Sequence, residues 1–221
     1  MTNLTANPLL NMTLGNLQDV AAALGVPGLP NLIKRHTLTT YQEFVDVLYN
    51  DINEIVAILQ ENPELRKEDE EDRLTIEIVG MLKTMGYNAD HERKVGGHTD
   101  ISVRGRSNFL WIGEAKIHSS YGYLFEGFQQ LCTRYAVGDV NQNCGGLLIY
   151  IRNRDASNVI STWKERITGH NLEDLVREDC AERPNMVFYT THKLDRSGQK
   201  FYVKHIGISL HFDPKDHIKA A

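Results

Sequence analysis

The sequence has no apolar run long enough to span a membrane, and its start lacks the basic-then-apolar pattern of a secretory signal. Its three cysteines, Cys132, Cys144 and Cys180, are widely spaced and form no C-x-x-C pair. No disulfide framework or structural zinc is therefore expected, and the chain reads as one for a reducing, cytoplasmic setting. A basic excess is also missing. The formal net charge is −5, so any contact with nucleic acid has to come from local basic patches, helped by metal ions that offset the acids. G-x-x-x-x-G-K-[ST], G-x-G-x-x-G and G-x-S-x-G are all absent, which leaves nucleotide hydrolysis and serine-ester chemistry without support. The nine histidines follow no zinc spacing, and there is no repeat or low-complexity tract.

What is present is a globular chain of 221 residues, 41% of them hydrophobic. That suffices for one sizeable core with a small appendage. Residues 1–61 read as the appendage. A short helix spans Leu14 to Leu24, a breaker follows at Pro27-Gly28-Leu29-Pro30, and a long apolar stripe runs from Phe44 to Leu59 behind a capping box of Thr40 and Glu43. Glu61-Asn62-Pro63 is the joint to a second domain, 62–221. The amphipathic N-terminal helices offer an apolar surface for assembly, so a homodimer or a regulatory protein partner is expected to use them.

The second domain opens with a helix over Glu64 to Met85, ended by Gly86, with Leu74, Ile78, Met81, Leu82 and Met85 on one stripe. Glu77 lies at the rim of that stripe, while Glu70, Glu71 and Asp72 fall in its polar first part. A strand over Tyr87 to Val95 follows. Then come two short β-type runs, Asp100 to Val103 and Phe109 to His118, around the basic turn Arg104-Gly105-Arg106-Ser107-Asn108. Strand side chains alternate faces, so Glu114 and Lys116 share one face and Gly113, Ala115 and Ile117 the other. Asp100 opens the first run of the hairpin. Two carboxylates and an ammonium thus converge at one end. Neighbouring carboxylates raise each other's pKa unless a cation lies between them. A hard divalent ion held by one or two carboxylates fits that description. A Glu/Lys surface pair is the bland alternative, but Phe109-Leu110-Trp111-Ile112 reads as a buried central strand.

Further on, Tyr121 to Val137 is expected to be helical, with Leu124, Phe128, Leu131 and Tyr135 inward. Leu147 to Ile151 reads as a strand buried on both faces. Ala156 to Ile167 and Leu172 to Glu178 read as helices, and Met186 to Thr191 and Phe201 to Phe212 as strands that extend the sheet or pack beside it.

Asp100, a gap, and then Glu114-Ala115-Lys116 resembles the signature of the PD-(D/E)XK, or restriction-endonuclease-like, nuclease superfamily. The resemblance covers residues 70 to 151, and Thr99 stands in place of the proline of the family name. The order helix, three-strand meander, helix, strand is similar to the αβββαβ core of that fold, an α/β architecture with a mixed central sheet flanked by helices. The resemblance implies a Mg²⁺-dependent nuclease, with Mn²⁺ as the alternative ion, acting on DNA in preference to RNA. It implies Asp100 and Glu114 as metal ligands, Glu77 from the first core helix as a third, Lys116 on water or transition-state charge, and a helix glutamine, Gln130, near the lysine. Gln129 competes for that last place. His98 and His118 flank the motif with open roles. Stand-alone nucleases of this kind serve in restriction and antiphage defence, among other roles. The competing expectation is a catalytically silent module that keeps the fold to bind nucleic acid or a protein partner.

Overall fold

The computed structural model describes residues 29–94 and 97–216 and, before them, Thr13, Asn16, Asp19, Val20, Ala23 and Gly25. Most of the helix expected over Leu14 to Leu24, and Val95 of the strand expected over Tyr87 to Val95, lie outside the described residues. The chain divides into two compact units, Met1–Leu48 and Tyr49–Ala221. The division falls inside a helix, upstream of the Glu61-Asn62-Pro63 joint read from the sequence. Among the described residues no helix is long and apolar enough to cross a membrane.

The first unit holds α1 (Leu29–Thr37) and the start of α2 (Tyr41–Glu61). Its capping box is formed: Glu43 N–H donates to Thr40 Oγ1 at 3.2 Å, and Glu43 Oε2 accepts from Thr40 N–H at 3.0 Å. Thr39 N–H adds a second bond to the same oxygen and the Thr39 hydroxyl a third, and the bonds from Thr39 and Thr40 to that oxygen hold the Glu43 carboxyl down to about 2.

The second unit is α/β, built on a mixed seven-stranded sheet flanked by helices. Its first full helix, α3 (Glu71–Thr84), starts with Glu71 and Asp72, which suit the positive end of the helix dipole. It closes on Gly86 at φ +93°, where Gly86 N–H reaches Lys83 O and Tyr87 N–H reaches Leu82 O. The strand expected over Tyr87 to Val95 is split. β1 (Asn88–Asp90) ends where Glu92 takes φ +53°, and β2 (Arg93–Lys94) pairs apart from the main sheet with β3 (His98–Thr99). β4 (Ile101–Arg104) and β5 (Leu110–Ile117) form the hairpin, turned through Ser107 and Asn108 at positive φ. Next come α4 (Tyr121–Gln129), a π turn over Gln130–Tyr135, and β6 (Cys144–Ile151), which lies parallel to β5.

After β6 come α5 (Ala156–Arg166), β7 (Val176–Asp179), β8 (Val187–Lys193) and β9 (Lys200–Ser209). The sheet order is β1-β4-β5-β6-β9-β8-β7, so the last strands do extend it, with β9 parallel to β6. The expected helix over Leu172 to Glu178 is not formed. Asp174 takes φ +55°, which a helix cannot accommodate, and Val176–Asp179 pair with β8 as the edge strand. Its four exposed residues include Arg177, Glu178 and Asp179, and charge on an edge discourages pairing with other chains.

Leu110 and Ile112 of β5 and Leu147 and Ile149 of β6 pack in one core with Leu124 and Phe128 of α4 and Trp163 of α5. The opposite face presents Trp111 and Tyr150. Tyr49 of α2 stands edge-on to Trp111 at 6.3 Å, and Thr75 of α3 shares a 3.2 Å hydrogen bond with the Tyr150 hydroxyl. The Trp111 ring occupies a slot cut by two glycines. A Cβ on Gly113 would lie 2.8 Å from it and one on Gly146 2.6 Å. These are distances at which a side chain must displace the ring.

Candidate active site

β4 is shorter than its partner. Its last pair with β5 is Ile101↔Gly113, so the edge of β5 beyond that point has lost its ladder neighbour. Two carboxylates take over. Asp100 Oδ2 accepts from Ala115 N–H at 2.8 Å, and Glu71 Oε2 accepts from Ile117 N–H at 2.7 Å. An unpaired strand edge thus fixes two acids next to each other, one from the bend before β4 and one from the first turn of α3.

The side chains of Glu114 and Lys116 lie on the same face of β5, as strand alternation requires. Lys116 Nζ is 2.6 Å from Glu114 Oε1, 3.2 Å from Glu71 Oε1 and 3.7 Å from Asp100 Oδ2. Three carboxylates surround one ammonium, which is only 7% exposed. The Tyr123 hydroxyl of α4 bonds Glu71 at 3.3 Å, and its ring centroid is 5.6 Å from Nζ. Gly127, one turn further along α4, leaves room for the Lys116 stem.

Burial pushes the Glu114 carboxyl up to about 7, reinforced by Asp100 and opposed by Lys116. Burial likewise raises Asp100, against the pull of the Ala115 amide and Lys116. For Lys116 burial acts to lower the value, but Glu114, Asp100 and Glu71 outweigh it and hold the group above its ordinary 10.5, so it stays an ammonium. The cluster therefore contains a permanent cation and carboxylates reluctant to ionise together.

Asp100, Glu114 and Lys116, which the motif groups, lie together here. Glu77 is elsewhere. Its carboxylate is held by the Arg66 guanidinium in a two-bond fork at 2.8 and 2.9 Å, and the acid that α3 delivers to the cluster is Glu71. A signal for Glu71 was present in the sequence. It lies one turn before Leu74 and two before Ile78, on the same buried stripe extended toward the N-terminus. Gln130 is half-buried at the start of the π turn, and among the described residues its side chain bonds to none of the four charged groups. Tyr135 closes that turn, and its hydroxyl donates to His98 O at 2.7 Å, pinning the chain just before Asp100. His98 itself is exposed and faces Glu92 O, and His118 bonds Asn153 at 2.9 Å.

No protein-family model, curated protein or solved structure matches this chain.

Among the described residues no group of three or more His, Cys, Asp or Glu side chains is arranged as a ready-made ion site, and Lys116 Nζ is the cation at the centre of the acids. The donor set nevertheless suits a hard divalent ion. All three acids offer carboxylate oxygen, the ligand type Mg²⁺ and Mn²⁺ prefer. One of those oxygens, Glu114 Oε2, is buried with no hydrogen-bond partner. A buried carboxylate oxygen left bare is costly, and a cation is one of the few things that satisfies it.

Proposed function

We propose that this chain is a metal-dependent nuclease that hydrolyses phosphodiester bonds, with DNA as the preferred substrate, built on a restriction-endonuclease-like core. The observation that carries the reading is the cluster itself: Glu71, Asp100 and Glu114 within 4 Å of Lys116, with Glu114 Oε2 unsatisfied. The order α3, β1, β4, β5, α4, β6 supports it, since it follows the αβββαβ core that the Asp100…Glu114-Ala115-Lys116 motif implies.

Asp100 and Glu114 would hold Mg²⁺, or Mn²⁺ in its place, with Glu71 as the third carboxylate. The ion, when bound, supplies Lewis-acid stabilisation of charge on the phosphate and a more acidic bound water. Lys116 remains protonated, so it donates hydrogen bonds and positive charge rather than accepting a proton. That suits it to orient the attacking water and to stabilise the oxygens of phosphorus as negative charge develops there. Glu71 is locked by Ile117 N–H and Tyr123, which leaves it little freedom to follow Lys116 if the lysine turns toward substrate. A role in restriction or antiphage defence is the biological setting we favour.

The test is cleavage of plasmid, linear duplex and single-stranded DNA, and of RNA, by purified full chain in Mg²⁺, in Mn²⁺ and in EDTA. Ion-dependent cutting, strongest on DNA, is expected. No cutting of any substrate with either ion would instead favour a silent nuclease-fold module that binds nucleic acid or a protein partner.

A further inference from the structure

On α4 and the π turn, Tyr123 and Gly127 serve the acid cluster. Phe125, Phe128, Gln129 and Cys132 form a different stripe, at helical spacing, and line a cavity of about 380 Å³. The loop after α5 and the end of β8 close it, supplying His170, Asn171, His192 and Asp195 among others. The volume falls in the range of sites for small organic molecules.

Three features define what would fit. The first is flat aromatic surface: the Phe125 and His170 rings are stacked at 3.4 Å and 7°, and the Phe128 ring lies 5.2 Å from that of His192. The second is His192. It is 2% exposed, lines the cavity, and has an Nδ1 with no hydrogen-bond partner, whereas its neighbour His205 has both ring nitrogens engaged by Trp163 and Thr190. Burial lowers the His192 value, so the ring is neutral and offers a donor or an acceptor rather than a charge. The third is the remaining polar lining. Gln129 and Asn171 carry amides able to donate and accept, Lys193 is already paired with Glu173, and Asp195 adds negative charge. Negative charge disfavours a phosphate inside the cavity. Aromatic walls with a neutral ring nitrogen and amides favour an uncharged heterocycle whose edge carries both donors and acceptors.

We propose that this cavity binds a nucleobase, presented by a free nucleoside or by an unpaired nucleotide of a strand whose phosphates stay outside. The inference does not rest on the nuclease reading, and its test uses no cleavage.

The ¹⁵N-labelled full chain, in EDTA so that no strand is cut, would be titrated with deoxyadenosine, deoxyguanosine, deoxycytidine and thymidine, and separately with a short single-stranded DNA oligomer. Saturable shifts of the amides at Gln129, Cys132, Asn171 and His192 are expected. Shifts with nucleosides assign a small-molecule ligand, and shifts with the oligomer alone assign a base of a strand. His192→Phe keeps the ring volume and removes the nitrogens, and should weaken binding at least ~10-fold, the effect of losing about one hydrogen bond. If that variant misfolds, Gln129→Ala, at an exposed position, provides the same comparison with a smaller expected loss. Absence of shifts at these residues with every nucleoside and with the oligomer would overturn the proposal. So would unchanged affinity in a folded His192→Phe protein or, where that variant misfolds, in Gln129→Ala.

Discussion

A Cβ on Gly127 would lie 2.7 Å from Cγ of Lys116, and 3.0 Å from its Cε. The contact is with the root of the lysine stem as well as its end, so a rotation of the ammonium alone does not relieve it. Gly127 thereby sets where Nζ can be. Alanine is otherwise the better helix residue there by about 1 kcal/mol. Gly127→Ala is therefore expected to leave the melting temperature nearly unchanged while cleavage falls by ~10²-fold, the scale on which an ångström of misplacement acts. Thermal unfolding and plasmid nicking measured on one preparation would check it.

Glu71 and Glu77 are on one helix and separate cleanly. Glu71→Gln keeps the shape but removes a carboxylate from the cluster, and should lower cleavage by more than ~10²-fold. Glu77→Gln loosens only the fork to Arg66, which is partly exposed, and should cost about 1 kcal/mol or less in stability with cleavage unchanged. Initial rates in Mg²⁺ for both variants decide which acid belongs to the site. The reverse result would return Glu77 to it.

Lys116 is expected to act on turnover rather than on metal affinity. Lys116→Ala should still bind Mg²⁺ by calorimetry but lose cleavage, because a transition-state contact affects rate more than ground-state binding. Lys116→Arg should also cleave poorly, since a planar fork does not replace a compact ammonium among three carboxylates. Wild-type cleavage by either protein would remove Lys116 from the chemistry.

The pH dependence of stability has a definite sign. Glu114 has an ordinary value of 4.5 and is raised to about 7 in the folded chain, so folding favours its protonated form. Its contribution is complete below 4.5 and is lost as pH rises through about 7. Asp100, also raised, acts in the same direction. Lys116 is constant across this window, because its raised value affects stability only above its ordinary 10.5. Between about pH 4.5 and 8 in EDTA, Glu114 should cost the fold on the order of 3 kcal/mol. Denaturant midpoints should show that slope in the wild type and a shallower one in Glu114→Gln, and Mg²⁺ should flatten it in the wild type. A Glu114→Gln slope equal to the wild type would contradict the burial account.

Much of this arrangement was legible in the sequence for simple reasons. Strand alternation fixes Glu114 and Lys116 to one face, and a hairpin brings Asp100 to their end whatever the rest of the chain does. The all-apolar run Leu147 to Ile151 has to be a buried strand, and it is. Glu71 was not legible by charge, because a glutamate among several in a first helical turn looks solvated. Its partners come from elements distant in sequence: the Ile117 N–H that the short β4 leaves bare, Lys116 Nζ and the Tyr123 hydroxyl. Leu172 to Glu178 has good helix formers, but the open edge of β8 and the left-handed Asp174 outweigh local propensity. The change from α to π geometry at Gln130 has no sequence signature of its own.

The most direct test of the central claim compares plasmid cleavage by wild-type and Asp100→Ala proteins, purified side by side and assayed in Mg²⁺. The wild type should cut, and the variant should lose more than ~10²-fold of that activity while circular dichroism shows the same fold. Equal cutting by the two proteins, or none by the wild type with Mg²⁺ or Mn²⁺, would contradict the assignment of this cluster as a phosphodiester-cleaving centre.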